Sequence, residues 1–223
     1  MFVFALKENC RRPLNVILLA LLPLTLLAFP ATDDYLPIKL SLYGMMNFYS
    51  AFLLTRPVVE DRMKGLVVRI AASPVTPLKY LGSHLAAYVV LLTGQNLLFI
   101  TAVGALHASM RPDLAVLFTL FTLFGAMGLA FSLAWNALFR NFGLSFGVFA
   151  GIGSLMCMAS GLSMPLSFIP DAILRFSMFL PTYWLAHGLQ ALLDADAAGV
   201  LTAHALLLAY AVLLLLAGSK RRL

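Results

Sequence analysis

Apolar residues run in long blocks along this chain, and short polar gaps divide them. Six blocks are long enough for membrane-spanning helices, since a bilayer core of about 30 Å takes roughly 20 residues at helical rise. They cover about residues 14–29, 38–54, 81–106, 114–138, 142–162 and 200–218. Pro30 closes the first and Arg56-Pro57 the second. Between the second and third blocks the pattern changes. Val59, Met63, Leu66, Val67 and Ile70 recur at helical spacing, and Glu60, Asp61, Arg62, Lys64 and Arg69 take the other positions. This predicts a short amphipathic helix, ended by Pro74 and Pro77, with Glu60 and Lys64 as an i,i+4 pair.

Residues 163–199 are apolar but broken by Pro165, Pro170 and Pro181. The pieces 171–179 and 182–193 are each too short to span. Two short helices folded as a re-entrant hairpin fit better; such a hairpin is tolerated at membrane depth only when packed on protein or lining a cavity. Tyr183 and Trp184 suit an interfacial depth. The predicted fold class is an all-α membrane protein, a single transmembrane domain over residues 1–223. It has six transmembrane helices, an amphipathic helix between helices 2 and 3, and a re-entrant hairpin between helices 5 and 6.

Composition agrees. The chain is 62% hydrophobic and 11% charged with a mean hydropathy of +0.96, where a soluble domain carries roughly a quarter charged residues. The basic residues set an orientation. Lys7, Arg11, Arg12, Arg56, Arg62, Lys64, Arg69, Lys79, Arg140, Lys220, Arg221 and Arg222 fall on one side of the six-helix arrangement. Only Lys39, Arg111 and Arg175 fall on the other. The positive-inside bias predicts both termini in the cytoplasm, in a multi-pass protein of the cytoplasmic membrane. The net charge of +6 is spread over short gaps and does not form a nucleic-acid-binding face. The first block has an alternative reading as a cleaved signal peptide. Its length, and Pro30 beside the would-be cut in Ala28-Phe29-Pro30-Ala31, favour a retained span.

Gly143, Gly147 and Gly151 lie four residues apart in the fifth block. This smooth stripe admits a close helix, either within the chain or from another subunit. No acidic or basic residue is placed well inside any block. The buried polar residues there are Asn47, Gln95, Asn96 and Asn136, with several Ser and Thr. An ion-coupled carrier usually needs an ionisable relay at that depth, and a voltage sensor needs an Arg ladder. Ser160 and His187 have nothing to order them into a catalytic set, so no catalytic residue is assigned. His84, His107, His187 and His204 are scattered, which predicts no metal site. Cys10 and Cys157 are expected at different depths, unbonded. The chain has no G-x-x-x-x-G-K-[ST] loop and cannot cradle ATP in the P-loop manner, so energy for any work would come from another polypeptide. The amphipathic helix is then the natural docking surface, because its mixed charges suit a protein partner better than an anionic leaflet, although a lipid-surface role stays open.

Two stretches carry a family resemblance. VVEDRMKGLVVRIAASPVTPLKYLGSHLAAYVVL resembles the hallmark of ABC-2 type transporter permeases: an acidic–Arg pair (Asp61-Arg62), Gly65, Arg69, Ser73-Pro74, and a Leu-Gly entry into the third helix. SGLSMPLSFIPDAILRFSMFLPTYWLAHGLQALL resembles the family's Pro-rich segment before the last helix. The resemblance implies a permease that pairs with a second copy or a sibling permease and docks a cytoplasmic ABC ATPase dimer. It implies ATPase coupling through Glu60, Asp61, Arg62, Gly65, Arg69, Ser73 and Pro74. It implies a subunit interface at Gly143, Gly147 and Gly151, and an outer gate at Pro165, Pro170, Pro181, Tyr183 and Trp184. The segment before Arg11 is short for the family, and Ser83-His84 stand where many members carry Lys. The brief 30–37 loop points to the small drug- or antibiotic-export subgroup. The expected cargo is a hydrophobic or amphipathic compound. A glycan or lipid-linked polymer is the alternative, on an aromatic set of Phe118, Phe121, Phe124 and Phe131. A non-transporting scaffold or sensor that docks a cytoplasmic partner is the alternative of another class.

Overall fold

In the computed structural model, the described residues are 6–7, 11, 17, 19, 21, 23, 25–26, 36–63, 77–106, 113–139, 141–164 and 168–220. Among them the regular elements are helices: α1 (Leu36–Leu54), α2 (Arg56–Met63), α3 (Pro77–Leu106), α4 (Leu114–Asn136), α5 (Phe142–Ala159), α6 (Asp171–Ser177), α7 (Pro181–Leu193) and α8 (Ala197–Lys220). Four stretches are long and apolar enough to cross a membrane: Gly82–Leu106, Leu114–Asn136, Phe142–Ala159 and Ala197–Leu216. The predicted blocks from 81 onward thus return as helices within a few residues of their expected ends. The 19-residue α1 is long enough too, but it carries Lys39, Tyr43, Asn47 and Ser50. All four are buried, so α1 is a central helix shielded by its neighbours. Most of the predicted first span lies outside the described residues, although Leu26 is buried in the main core.

Named contacts fix the packing directions. Along α1, Tyr43 meets Phe121, Ala51 faces Gly128, and Thr55 meets Asn136. Both sequences rise together, so α1 and α4 run parallel. Tyr43 meets Asn96 and Phe99, while Ser50 meets Gln95, so α3 runs antiparallel to α1. Tyr49 meets Ala150 and Ser154, while Phe52 meets Phe142, so α5 is antiparallel to α1 as well. The approach of α1 to α4 is close because Gly125 and Gly128 present no side chain. A Cβ at Gly128 would sit 3.1 Å from that of Ala51. Larger residues there would push the backbones apart.

The ends of the helices follow local chemistry. Asp113 caps α4 by accepting from Ala115 N and Val116 N, and Asn141 caps α5 by accepting from Gly143 N and Leu144 N. These side chains satisfy amide donors that have no intrahelical partner. Gly161 ends α5 at φ 83°, where Leu162 N reaches back to Cys157 O at 2.9 Å. This is the glycine-terminated helix end that only a residue without Cβ enters freely.

The two short helices predicted within 163–199 are present as α6 and α7. Pro181 occupies the first turn of α7, where its missing amide proton costs nothing. The segment between them reaches well along the bundle. Tyr210 of α8 donates to Phe179 O at 3.0 Å, about 20 Å along the axis from Ala197 at helical rise. Thr182 donates to Met156 O at 3.3 Å and Ser177 to Ala159 O at 2.5 Å. Leu185 fills the space at Gly44 of α1, where an added Cβ would lie 2.6 Å from Leu185 Cδ2.

Candidate functional site

The charged helix α2 begins at Arg56, earlier than its apolar spacing indicated. Thr55 is the single turn residue between it and α1, and Val59 N bonds Thr55 O at 3.3 Å. Pro57 is compatible with the first helical turn, so the Arg56-Pro57 pair that closes α1 also opens α2. Val58 and Val59 are buried, and Val58 packs with Ala51, Leu54, Tyr88, Leu92 and Leu129. Arg56 Nε donates to Glu60 Oε1 at 2.6 Å. Arg56 is thus the i−4 partner of Glu60; the expected partner Lys64 lies outside the described residues. The Arg56 guanidinium also lies over the Phe142 ring of α5, 5.4 Å from its centroid. Of the predicted coupling residues, Glu60, Asp61 and Arg62 are in α2, whereas Gly65, Arg69, Ser73 and Pro74 lie outside the described residues.

A polar junction sits just inside that end. Asn136 Nδ2 donates to Thr55 Oγ1 at 3.1 Å and to Ser132 O at 2.9 Å. Ser145 Oγ donates to Asn136 Oδ1 at 2.7 Å. One asparagine therefore joins the turn between α1 and α2, the last turn of α4 and the first turn of α5. Such ties are a usual role for amides between membrane helices. A second belt lies further along the bundle. Asn96 Oδ1 accepts from Tyr43 OH at 2.7 Å and from Asn47 Nδ2 at 3.2 Å, and Asn47 Nδ2 also reaches Phe121 O at 2.9 Å. Asn96 Nδ2 donates to Thr122 Oγ1 at 3.3 Å. The amide oxygens of Asn47 and Gln95 are buried and accept no hydrogen bond. The belt is neutral and ties α1, α3 and α4 together.

Lys39 is the residue that sequence reasoning missed. Its place near the end of a span suggests only a flanking charge, yet it is 2% exposed within α1. Arg56 serves in the charge pattern as an orientation marker, and its i,i+4 spacing to Glu60 is the signal for the ion pair.

The glycines of α5 divide by face. Gly147 and Gly151 have open space where a Cβ would point, and Gly143 meets only its own cap, Asn141. Gly153 instead packs on Phe48, Tyr49 and Phe149. The described part of the chain uses Gly153 for its own packing and leaves Gly147 and Gly151 on a face with exposed Leu144, Val148, Ile152 and Leu155. The aromatic set predicted as a possible cargo stripe is mostly core. Phe121 meets the edge of Tyr43 at 4.8 Å, and Phe124 packs 5.9 Å from Phe48. Both are fully buried, and Phe118 and Phe131 pack against the same cluster.

In the hairpin, Pro170 precedes α6 and Pro181 is buried at the start of α7; Pro165 lies outside the described residues. Trp184 Nε1 donates to Met178 O at 2.9 Å, pinning the turn between the two helices, and Tyr183 stands edge-on to Trp184. Ser160 donates to Cys157 O, and His187 lies against Tyr183 and Trp184. Among the described residues no group of His, Cys, Asp or Glu is placed to hold a metal. Cys157 is a free, buried thiol.

Residues 13–220 match the family described as ABC-2 family transporter protein. No curated protein matches the chain.

Proposed function

The chain belongs to the ABC-2 transporter family, and on that premise we propose that it is the permease subunit of an ATP-driven exporter. Its cargo is a hydrophobic or amphipathic compound, and a separate ATPase dimer binds the ATP and Mg. The observation that carries this reading is the interior. The described helices are tied by neutral amides and hydroxyls at Tyr43, Asn47, Asn96, Thr122 and Asn136. A largely apolar interior, in which Lys39 near the start of α1 is the one buried Lys or Arg among the described residues, suits such a cargo better than a small ion, which needs charge rings or dense carbonyl ligation.

In this reading one transmembrane domain occupies residues 1–223, spans the cytoplasmic membrane six times, and keeps both termini in the cytoplasm. Helix α2 and the residues after it, through Pro74, receive the ATPase. The Arg56–Phe142 contact passes its movement into α5. The open face at Gly147 and Gly151 meets a second permease copy or a sibling. The α6–α7 hairpin enters the outer leaflet and returns. The Tyr210–Phe179 contact, deep along α8, supports that re-entry, and Pro165, Pro170, Pro181, Tyr183 and Trp184 shape the outer gate.

The test is reconstitution. The purified chain is expected to retain an ABC ATPase from its host membrane and to raise its hydrolysis rate. Reversing Glu60 and Asp61 to Lys should release the ATPase or separate hydrolysis from transport while the helices stay folded. Normal transport by that double variant would remove the docking role from α2. Retention of another cytoplasmic protein with no effect on any ATPase would favour the scaffold reading.

A further inference from the structure

A cavity of about 240 Å³ opens near the Leu36 end of α1. Its walls are Ile38 and Leu42 of α1, Leu162 and Met164 of the turn after α5, and Leu189 and Leu193 of α7. None of the gate or coupling residues predicted from the sequence lines it. We propose that this cavity seats the aliphatic tail of a single-chain amphiphile with an uncharged, hydroxyl-bearing head.

Three observations carry the assignment. The first is chemistry. Among the described residues the wall holds no aromatic and no charged side chain, although the chain has 17 Phe, 7 Tyr and 2 Trp. Planar aromatic cargo packs favourably on ring faces and edges. Flexible Leu, Ile and Met side chains instead adapt to an alkyl chain. The second is size. An apolar cavity of about 150 Å³ takes a six-carbon ring, so this one takes roughly nine or ten carbons. The third is polarity. The polar side chains on the wall are Ser41, Ser163 and Gln190. Gln190 Nε2 donates to both Asp194 oxygens at 3.2 and 3.1 Å, which leaves its Oε1 as an acceptor. Two hydroxyls and one amide oxygen offer hydrogen bonds to a glycerol-like head without demanding a charge.

The seat lies between elements held together elsewhere. Leu162 and Leu185 both press on the Gly44 site of α1, and Thr182 ties α7 to α5. A tail entering here would separate the 161–164 turn from α7 and so bear on the hairpin. The assignment deepens the transport reading and rests on it for its physiological sense. The binding itself needs no ATPase.

The experiment uses the full chain in phosphatidylcholine nanodiscs and a monodecanoylglycerol with a photoreactive diazirine at the tail end. Adducts are mapped by mass spectrometry. The expected result is labelling concentrated at Ile38, Leu42, Leu162, Met164, Leu189 and Leu193, and competed by unlabelled monodecanoylglycerol. Ser163→Trp, at an exposed position on the wall, should lower it about tenfold by overfilling the space. Ala186→Phe should do the same from the buried side. Labelling spread evenly over outward-facing Leu97, Leu98, Leu144 and Leu201 would overturn the proposal, because the tail would then only be sampling the bilayer. Equal labelling of the cavity by a diacyl phosphatidylcholine with the same photoreactive tail would overturn the single-chain assignment. Failure of either kind leaves ATPase retention unaffected, whereas loss of ATPase retention leaves cavity labelling unaffected.

Discussion

The guanidinium of Arg56 lies 5.4 Å from the centroid of the Phe142 ring. The first residue of α2 thus touches the first residue of α5 across the bundle end. The same guanidinium holds Glu60 through a 2.6 Å hydrogen bond. The contact thus joins α2 to the helix in which Gly147 and Gly151 have open space where a Cβ would point.

Phe142→Leu keeps apolar volume at that contact but removes the ring face. A cation over an aromatic at a partly exposed site contributes about 0.5–1 kcal/mol. The variant should stay folded, and transport per ATP hydrolysed should fall. Arg56→Gln should have the same effect, and the double variant should be no worse than either single one. Additive losses in that cycle would show that the two residues act separately.

Asn136→Leu strands the Ser145 hydroxyl, which donates to Asn136 Oδ1. A buried polar group left without its partner costs about 1–3 kcal/mol. Thermal unfolding in detergent should fall by several degrees. Adding Ser145→Ala should recover part of the loss, because the stranded group is then gone.

Gly151→Leu and Gly128→Leu form a matched pair. Gly151 has open space where a Cβ would point, while a Cβ at Gly128 would already crowd that of Ala51 at 3.1 Å. Overpacking at Gly128 should cost about 1–3 kcal/mol of stability. At Gly151 the monomer should be unchanged or slightly steadier, since helical Gly is about 0.8–1 kcal/mol worse than Ala. The association of two copies, read by crosslinking in the membrane, should weaken only for Gly151→Leu. Unchanged association would remove this face from the interface.

Ala195 links α7 to α8 at φ 56°. Left-handed backbone costs a non-glycine residue roughly 1–2 kcal/mol. Ala195→Gly should therefore raise the unfolding midpoint modestly and leave the cavity under α7 intact. A lowered midpoint would mean that the added freedom of the unfolded glycine outweighs the relieved strain.

The sequence by itself determined which stretches become helices and where they stop. Among the described residues, apolar block length, Pro57, Pro170 and Pro181, and the caps Asp113 and Asn141 act locally, through hydrogen bonds and sterics within a few residues. The tertiary structure decided which face each helix turns inward. The 143–147–151 spacing of α5 is the same whether a neighbour lies against it or not. Only packing shows that Gly153 is filled from α1 while Gly147 and Gly151 stay open. The aromatic residues of α4 likewise have a helical period that fits a lumen or a core, and Tyr43, Phe48 and Phe99 settle Phe121 and Phe124 into the core. Lys39, read as a flanking charge, is buried because α1 is surrounded on nearly every side, which depends on helices far away in sequence. The cavity beneath α7 is assembled from three segments, one of them more than a hundred residues before the other two, so no local pattern announces it. Short-range rules write the helices, and long-range packing chooses what they enclose.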